Sequence, residues 1–362
     1  LTPAASARAL LVAQAFGLAG LSGLEQKFTD GPCARGIIFL VHGATLFETL
    51  LLNLIRYPDD RAMPITGGDR PAWEMDDPYD GNRQTPLGYL DYLTWQNRRV
   101  LLLPSTEGGR PVVREVTMAP GLRLAEGVLD AMKHYTVRDE KRGPQPLRFR
   151  EGRALWRDSS VLFRLQASDQ RPPWALDWVY DLSENGCVDP VVARRFLALG
   201  MANDQAKVEF FRTEQMPISL SYLTDERAIA HLDNALQMAE GVRNQLWGAT
   251  HTMAVLAISP DTDQDGAIGK GPDEARALIE HWPVEQAYWW QLEAPFYATM
   301  ATIPTEPDLA LSQWSATLRR VAWDALDSVA RTLERDMRRV KAVVRARGQL
   351  AAGLAKALPA LA

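Results

Sequence analysis

Residues 200–217 read "GMANDQAKVEFFRTEQMP". An apolar lead-in ends at Ala202, the polar run Asn203-Asp204-Gln205 follows, and after Ala206 the amphipathic "KVEFFR" begins. A core does not take three consecutive polar side chains without partners. A flexible linker does not set bulky aromatics beside them. Two local structures fit. The run is a turn tip presented outward and held by the apolar segments on either side, or Asn203 or Asp204 caps a helix "QAKVEFF". Both can hold at once, since a capped helix start fixes a tip. The stretch also divides the chain: short β-rich and irregular segments precede it, and long helical periodicities follow.

Upstream, Thr2-Pro3 with Ala4 to Ala15 predicts a helix, with proline near its first turn. "GIIFLVHG" (36–43) predicts a strand and "ATLFETLLLNLI" (44–55) a helix. Residues 56–90, with Pro58, Pro64, Pro71, Pro78 and Pro86, read as loop. Strands are expected at 98–104, 110–120 and 147–156, with a hairpin turn at "EGG" (107–109).

Downstream of Pro217, apolar residues recur at three- and four-residue steps from Ile229 to Leu256, again from Trp289 to Ile303 around Pro295, and again from Ala322 to Val344. With the short "DEARALIEHW" (273–282), these predict an antiparallel four-helix bundle. The expected class is α+β: a mixed domain over 1–217 and an all-α bundle over 218–362, with the boundary near 217–223. On the last helix Arg331, Arg335, Arg338 and Arg345 fall about 200° from the apolar seam, a basic stripe facing outward.

The 362 residues suffice for two domains, and 46% hydrophobic with 23% charged residues is ordinary globular composition. A net charge of −5 argues against a free-standing, non-specific nucleic-acid binder. The charge is uneven: residues 311–362 hold ten Lys/Arg against four Asp/Glu, a hint of a polyanion partner or simply a solvated helix face. Cys33 and Cys187 stand far apart in no metal spacing, which fits a reducing cytoplasm and neither a disulfide framework nor a zinc site. No apolar run approaches the ~18 residues of a membrane span. "RALLVAQAFGLAG" imitates a signal peptide, but the chain opens with Leu1, which places this segment inside a longer protein.

Motifs of catalysis are weak. "FLVHG" (39–43) is similar to the strand end of α/β-hydrolases and sets up the rival expectation of such an enzyme, yet no G-x-S-x-G elbow accompanies it. "DTDQDGAIGKGPDE" (261–274) starts like a calcium loop, but position twelve is Pro272 where a bidentate Glu is needed, so an acidic interhelical loop is favoured. "GAIGKG" lacks the spacing and hydroxyl of a phosphate loop. No metal or cofactor is expected. Trp73, Trp95 and Trp156 sit among arginines, a pattern that suits nucleic acid or, as preferred here, buried anchors under arginine stems.

Five segments in order carry more. "ARG…LVHG…LFETLLLN" (34–53), "DRPAWE" (69–74), "PLGYLDYLTWQNRRVLLLP" (86–104), "PLRFREGRALWRDS" (146–159) and "GMANDQAKVEFFRTEQMP" (200–217) together resemble the large subunit, the CasA family, of the type I-E CRISPR Cascade complex. The likeness covers most of 1–217, and a helical bundle after it agrees in kind.

The resemblance implies a non-catalytic cytoplasmic subunit of a crRNA-guided complex. Its partners would be the other Cascade subunits, crRNA, double-stranded target DNA and a helicase-nuclease. It would read the protospacer-adjacent motif through the minor groove and start strand separation. The family's glutamine wedge maps onto Asn203-Asp204-Gln205-Ala206, with Gln205 entering the duplex. The groove-reaching lysine maps onto Lys133 in "KHYTV", and the glycine loop onto Gly20, Ser22 and Gly23. Apart from the resemblance, the basic stripe at Arg331, Arg335 and Arg338 is expected to meet DNA phosphates or a neighbouring protein subunit. Asp204 departs from an uncharged wedge and should turn away from phosphates. The family's preceding segment, with its loop for the crRNA handle, is not represented upstream of Leu1.

Overall fold

Residues Leu1–Leu155 and Arg164–Leu220 form one unit; Trp156–Phe163 and Ser221–Ala362 form the other. The computed structural model describes residues 1–54, 67–137, 143–164, 169–189, 194–204, 207–260, 272–333 and 337–358.

The first unit opens with α1 (Pro3–Phe16). Thr2 accepts the Ala5 N–H through Oγ1 at 3.3 Å, and Pro3 occupies the first helical position, where no N–H is needed. β1 (Ile37–His42) and α2 (Leu46–Leu52) follow. Thr45 caps α2 by accepting from Glu48 N (3.1 Å), while the Glu48 carboxylate reaches back to Ala44 N (2.7 Å), a variant of the reciprocal capping box. Then come a 3-10 turn at Ala72–Glu74, α3 (Tyr89–Leu93), β2 (Arg98–Glu107), β3 (Arg110–Pro120), β4 (Tyr135–Thr136) and β5 (Gln145–Pro146). After α4 (Ser159–Leu162), which belongs to the second unit, the chain returns for β6 (Gln170–Arg171), α5 (Trp174–Glu184), β7 (Arg194–Asp204) and β8 (Lys207–Ile218).

Among the described residues three small sheets form, ordered β1-β7-β8, β2-β3 and β5-β4-β6, with antiparallel pairings. β1, β7 and β8 bury one face, where Phe39, Val41, Phe196, Ala198 and Met216 lose their solvent and Phe39 meets Phe196 edge-on at 5.9 Å.

Two expectations fail here. "QAKVEFF" does not open a helix: from Lys207 onward the residues are strand β8. Phe210, Arg212, Glu214 and Met216 turn inward while their neighbours face out, a period of two that becomes decisive only because β7 lies alongside. Residues 147–156 are not a strand either. Gly152, at φ +67°, lets the chain fold back through an Arg150–Arg153 bridge, and a 3-10 turn starts at Leu155.

The hydrolase expectation is also overturned. β1 pairs antiparallel with β7, whereas that enzyme class presents its nucleophile on a mainly parallel sheet, and His42 is exposed on its strand end.

The second unit comprises α4, α6 (Ser221–Thr224), α7 (Glu226–Ile258), α8 (Asp273–His281), α9 (Val284–Thr302), α10 (Pro307–Leu333) and α11 (Met337–Ala357). Buried polar tips tie its core to helix backbones: Trp314 Nε1 donates to Ala235 O (2.8 Å), Tyr288 OH to Ala239 O (2.8 Å) and Tyr222 OH to Met300 O (2.6 Å). Trp156 is fully buried against Phe296, with ring centroids 4.5 Å apart. The Arg157 guanidinium lies 3.6 Å from the Trp289 ring centroid and pairs with Glu240 at 2.6 Å. Trp156 is therefore the packing anchor expected of it. Trp95 is buried too, whereas Trp73 is exposed.

The last apolar seam is not one helix. Arg347 reaches Asp327 at 2.9 Å. Twenty residues of continuous helix would hold those two ~30 Å apart. The chain reverses between α10 and α11, and α11 runs antiparallel to α7, with Gly241 facing Ala357 and Gly248 facing Gln349. Val344, expected in the seam, is 60% exposed, and Ala342, Val343, Ala346 and Leu350 are buried instead. The long helices are thus α7, α9, α10 and α11, with the short α8 packed beside α7 through Ala275, Val255 and Ala254.

Candidate nucleic-acid interface

β7 and β8 remain paired to their end: Asn203 faces Val208 and Asp204 faces Lys207. Gln205 and Ala206, between them in sequence, lie outside the described residues, as does the Asp204 side chain. Just before the tip the register shifts. Ala202 faces Phe210 and Asn203 faces Val208, which leaves Glu209 as an extra residue in β8. Such a bulge sharpens the twist and re-aims the residues beyond it. Lys207, Val208 and Glu209 are exposed, and Phe211 is 66% exposed.

The glycine loop stands beside this hairpin. α1 ends at Phe16, whose ring meets that of Phe211 edge-on at 6.1 Å. Gly20 and Phe28 exchange both backbone hydrogen bonds, at 3.2 and 3.0 Å, and close the loop between them. Ser22 Oγ accepts the Leu24 N–H at 3.1 Å and donates to Gln26 O. Gly23 has φ +73°, a conformation that side chains resist. A Cβ at Gly20 or Gly23 would meet no atom within 4 Å, so the backbone here is open to an approaching surface.

Behind the loop, residues of "WQNRR" hold it in place. Arg98, buried, donates to Leu18 O at 2.8 Å and lies 5.5 Å from the Phe28 ring centroid. Burial pulls its guanidinium below the ordinary value, and Asp30 opposes the shift. Asn97 donates to Gln14 O at 2.8 Å, and Asp30 accepts the Ala19 N–H at 2.7 Å. Gly17 leaves no room for a Cβ, which would sit 2.2 Å from the Arg98 guanidinium carbon. The sequence reading missed these supports. Their only signal was a polar Gln-Asn-Arg run opening a strand.

Lys133 is corrected by the structure. Its backbone bridges Ile38 of β1, close to the loop, but its side chain is buried. The ammonium donates to Pro32 O and lies 3.5 Å from Asp130. A lysine in "KHYTV" was expected to reach outward. The carbonyl of Pro32 and the Asp130 carboxylate instead satisfy its charge inside. Asp130 also accepts from Tyr92 OH (2.8 Å), and its backbone N–H donates to Tyr135 OH at 2.9 Å. Burial first, then the Asp130 carboxylate, pushes the Tyr92 phenol well above its ordinary value.

The basic stripe is divided. Arg331 is exposed on α10, with Nε donating to Asp327 O at 3.2 Å. Arg345 is exposed on α11, past the reversal. Arg335 and the Arg338 side chain lie outside the described residues. One continuous stripe was drawn on a helix that does not continue. The acidic loop 261–271 also lies outside the described residues. Among the described residues no group of three His, Cys, Asp or Glu could hold a metal ion, and no helix is long and apolar enough to cross a membrane.

By fold, this is a chain whose relatives are CRISPR-associated proteins. The family profile described as CRISPR-associated protein Cse1 matches residues 1–325, and the chain belongs to that family. The curated CasA/Cse1 of Thermus thermophilus is 32% identical over 357 residues, covering 94% of this chain and 66% of its own length. A crystal structure of Thermus thermophilus CasA matches with a TM-score of 0.76 at 29% identity, across 98% of this chain and 72% of that one. Cse1 from Acidimicrobium ferrooxidans shares the fold at a TM-score of 0.80 and 22% identity, across 99% of this chain and 72% of that one. This chain thus spans just under two thirds of the curated relative.

Proposed function

We propose that the chain is the large subunit of a type I-E Cascade complex. In this reading it joins the other Cascade subunits and crRNA in the cytoplasm and performs no catalysis. It recognises the protospacer-adjacent motif in duplex DNA from the minor groove, opens the duplex, and recruits the helicase-nuclease. Its carboxy-terminal helices act as a four-helix bundle. Family membership supports the assignment, and a chain of the same fold, at 23% identity and a TM-score of 0.65, comes from a CRISPR RNA-guided surveillance complex.

The observation that supports the DNA role is the Phe16–Phe211 contact, which packs the end of α1, just before the open glycine loop, against the β7–β8 hairpin that carries the polar run. The minor groove displays few distinguishing groups, so readout there leans on shape and on close backbone approach. Gly20, Ser22 and Gly23 provide that approach, and Asn203, Gln205 and Ala206 form the wedge. Unstacking a base step costs a few kcal/mol, offset by motif binding and by guide pairing. Glutamine is long and neutral and can both donate and accept. Lys133 supports the loop from inside through Pro32, and Arg331, Arg335 and Arg338 are assigned to phosphate or to a neighbouring subunit.

Gln205→Ala in a reconstituted complex tests the wedge. Guided R-loop formation on motif-bearing duplex is expected to fall on the order of tenfold or more, as a lost ~1.4 kcal/mol requires. An unchanged R-loop rate would sink the assignment.

A further inference from the structure

The glycine loop, residues 17–30, contains no buried residue. Leu21 and Leu24 are 84% and 61% exposed. Hydrophobic burial therefore does not fix where the loop lies, and its place depends on polar ties. Most of these close the loop on itself. Gly31 N–H donates to Gly17 O at 2.7 Å, Ala19 N–H to Asp30 at 2.7 Å, and Gly20 and Phe28 pair through their backbones. Such bonds hold the two arms of the loop together and leave its direction open. Among the described residues, Arg98 is the one side chain from outside 17–31 that hydrogen-bonds residues 18–28, with Nη2 donating to Leu18 O at 2.8 Å.

Arg98 is itself fixed. Its backbone N–H donates to Gln14 Oε1 (3.1 Å) and its carbonyl accepts from Gln14 Nε2 (2.7 Å), so a side chain of α1 pairs with it as a neighbouring strand would. Nη1 donates to Asn97 Oδ1 at 2.8 Å, and the guanidinium lies against the Phe28 ring. The residue is 4% exposed, and among the described residues its guanidinium is bonded to neutral acceptors and forms no ion pair. A buried cation without a paired carboxylate adds little stability, and an apolar side chain of similar length would fill the space at less cost. What an apolar side chain lacks is the bond to a loop carbonyl.

We propose that Arg98 is a positioning residue that sets specificity: its guanidinium fixes the depth at which the glycine loop meets the minor groove, and so governs discrimination between right and wrong motifs. Arg98 touches no DNA in this role. Phosphate contacts tolerate small displacements, because charge acts over several ångströms. Close backbone approach to a groove floor does not tolerate them, because shape is what it reads. Loss of the strap takes away the advantage of the right motif and leaves general DNA affinity in place. The effect on specificity rests on the motif-reading role proposed above; the hold of Arg98 on the loop does not.

The test compares guided R-loop formation on motif-bearing and motif-altered duplexes in a reconstituted complex. Arg98→Met and Arg98→Gln both remove the reach to Leu18, one with an apolar and one with a polar side chain, so a folding defect particular to either leaves the other to decide. Each is expected to lower the ratio of the two rates about tenfold, the worth of one mismatched base pair. The salt dependence of binding should not change, since no phosphate contact is lost. Arg98→Lys, which keeps a donor at nearly the same reach, should restore the ratio to within about threefold of the original.

A second measurement needs no DNA. In the full chain, amide exchange at Gly20 and Phe28 should rise about tenfold in Arg98→Met, while the β7–β8 ladder keeps its protection. Unchanged exchange at these two amides overturns the hold on the loop. An equal fall in both R-loop rates, or no fall in either, overturns the role in specificity and leaves Arg98 a structural residue at most. If the unaltered complex shows no motif preference while exchange still rises, the DNA reading fails and the strap stands. Failure of the motif-reading role and failure of the strap are thus read separately.

Discussion

Two long hairpins in the first unit differ in what their ends are made of. β2–β3 turns through Gly108 and Gly109, at φ +57° and +76°, the two-residue type I′ geometry that matches strand twist. β7–β8 is paired up to Asp204 and Lys207, and the two residues between are Gln205 and Ala206. The first end is built to turn and offers no side chain. The second keeps a long amide side chain where glycine would turn more easily. Their bodies differ as well. β7–β8 lies in a sheet with a buried face, while much of β2–β3 is exposed, Leu101 by 60%. The proposed wedge would need an anchored hairpin beneath it, and of these two β7–β8 is the one with a buried sheet face.

The largest effect expected from this contrast is in the bodies. Phe196→Ala, which empties a fully buried site against Phe39, should cost about 3–5 kcal/mol in denaturant unfolding. Leu101→Ala on β2 should stay within about 0.5 kcal/mol. Equal losses would erase the distinction.

Next come the tips. Replacing Gln205 and Ala206 together by glycines, in imitation of the other hairpin, should lower R-loop formation about 30-fold, the equivalent of ~2 kcal/mol of unstacking. Stability should change by less than about 1 kcal/mol. Retained R-loop formation would mean the side chains at this end are dispensable. The converse change, Gly109→Ala, should cost about 1–2 kcal/mol, because φ +76° crowds a Cβ, and should leave R-loops unaffected.

The smallest effect concerns the second unit. A double-mutant cycle on Asp327 and Arg347, a half-exposed pair at 2.9 Å, should give a coupling of about 0.2–1 kcal/mol. Zero coupling would be the result for a continuous helix from 307 to 357, and would undo the reversal between α10 and α11.

Much of this architecture is legible in the chain. The glycine pair marked the β2–β3 turn, Thr2-Pro3 marked the start of α1, and the apolar spacing from Ile229 to Leu256 marked α7. The candidate interface was less legible. Gly20, Ser22 and Gly23 do form an open loop, but its neighbour Phe211 is 195 residues beyond Phe16, and nothing in either segment announces the contact. Lys133 looked like an exposed donor because its partners, Pro32 O and Asp130, are set by folding. Trp95, Asn97 and Arg98 showed only as a tryptophan among polar residues.

The sequence by itself determined what depends on neighbours a few residues away: helix spacing, caps, glycine turns and the ordered segments of the Cse1 family. A helix closes its hydrogen bonds within four residues, so its signature is local. Tertiary structure alone decided the rest. β8 is a strand because β7 supplies its bonding partners, and a strand without a partner has none. Trp156–Phe163 joins the helical unit because its aromatic residues find their burial there. α10 ends at Leu333 and α11 begins at Met337, and it is the packing of α11 against α7, a long-range contact, that divides an apolar seam reading as one helix into two.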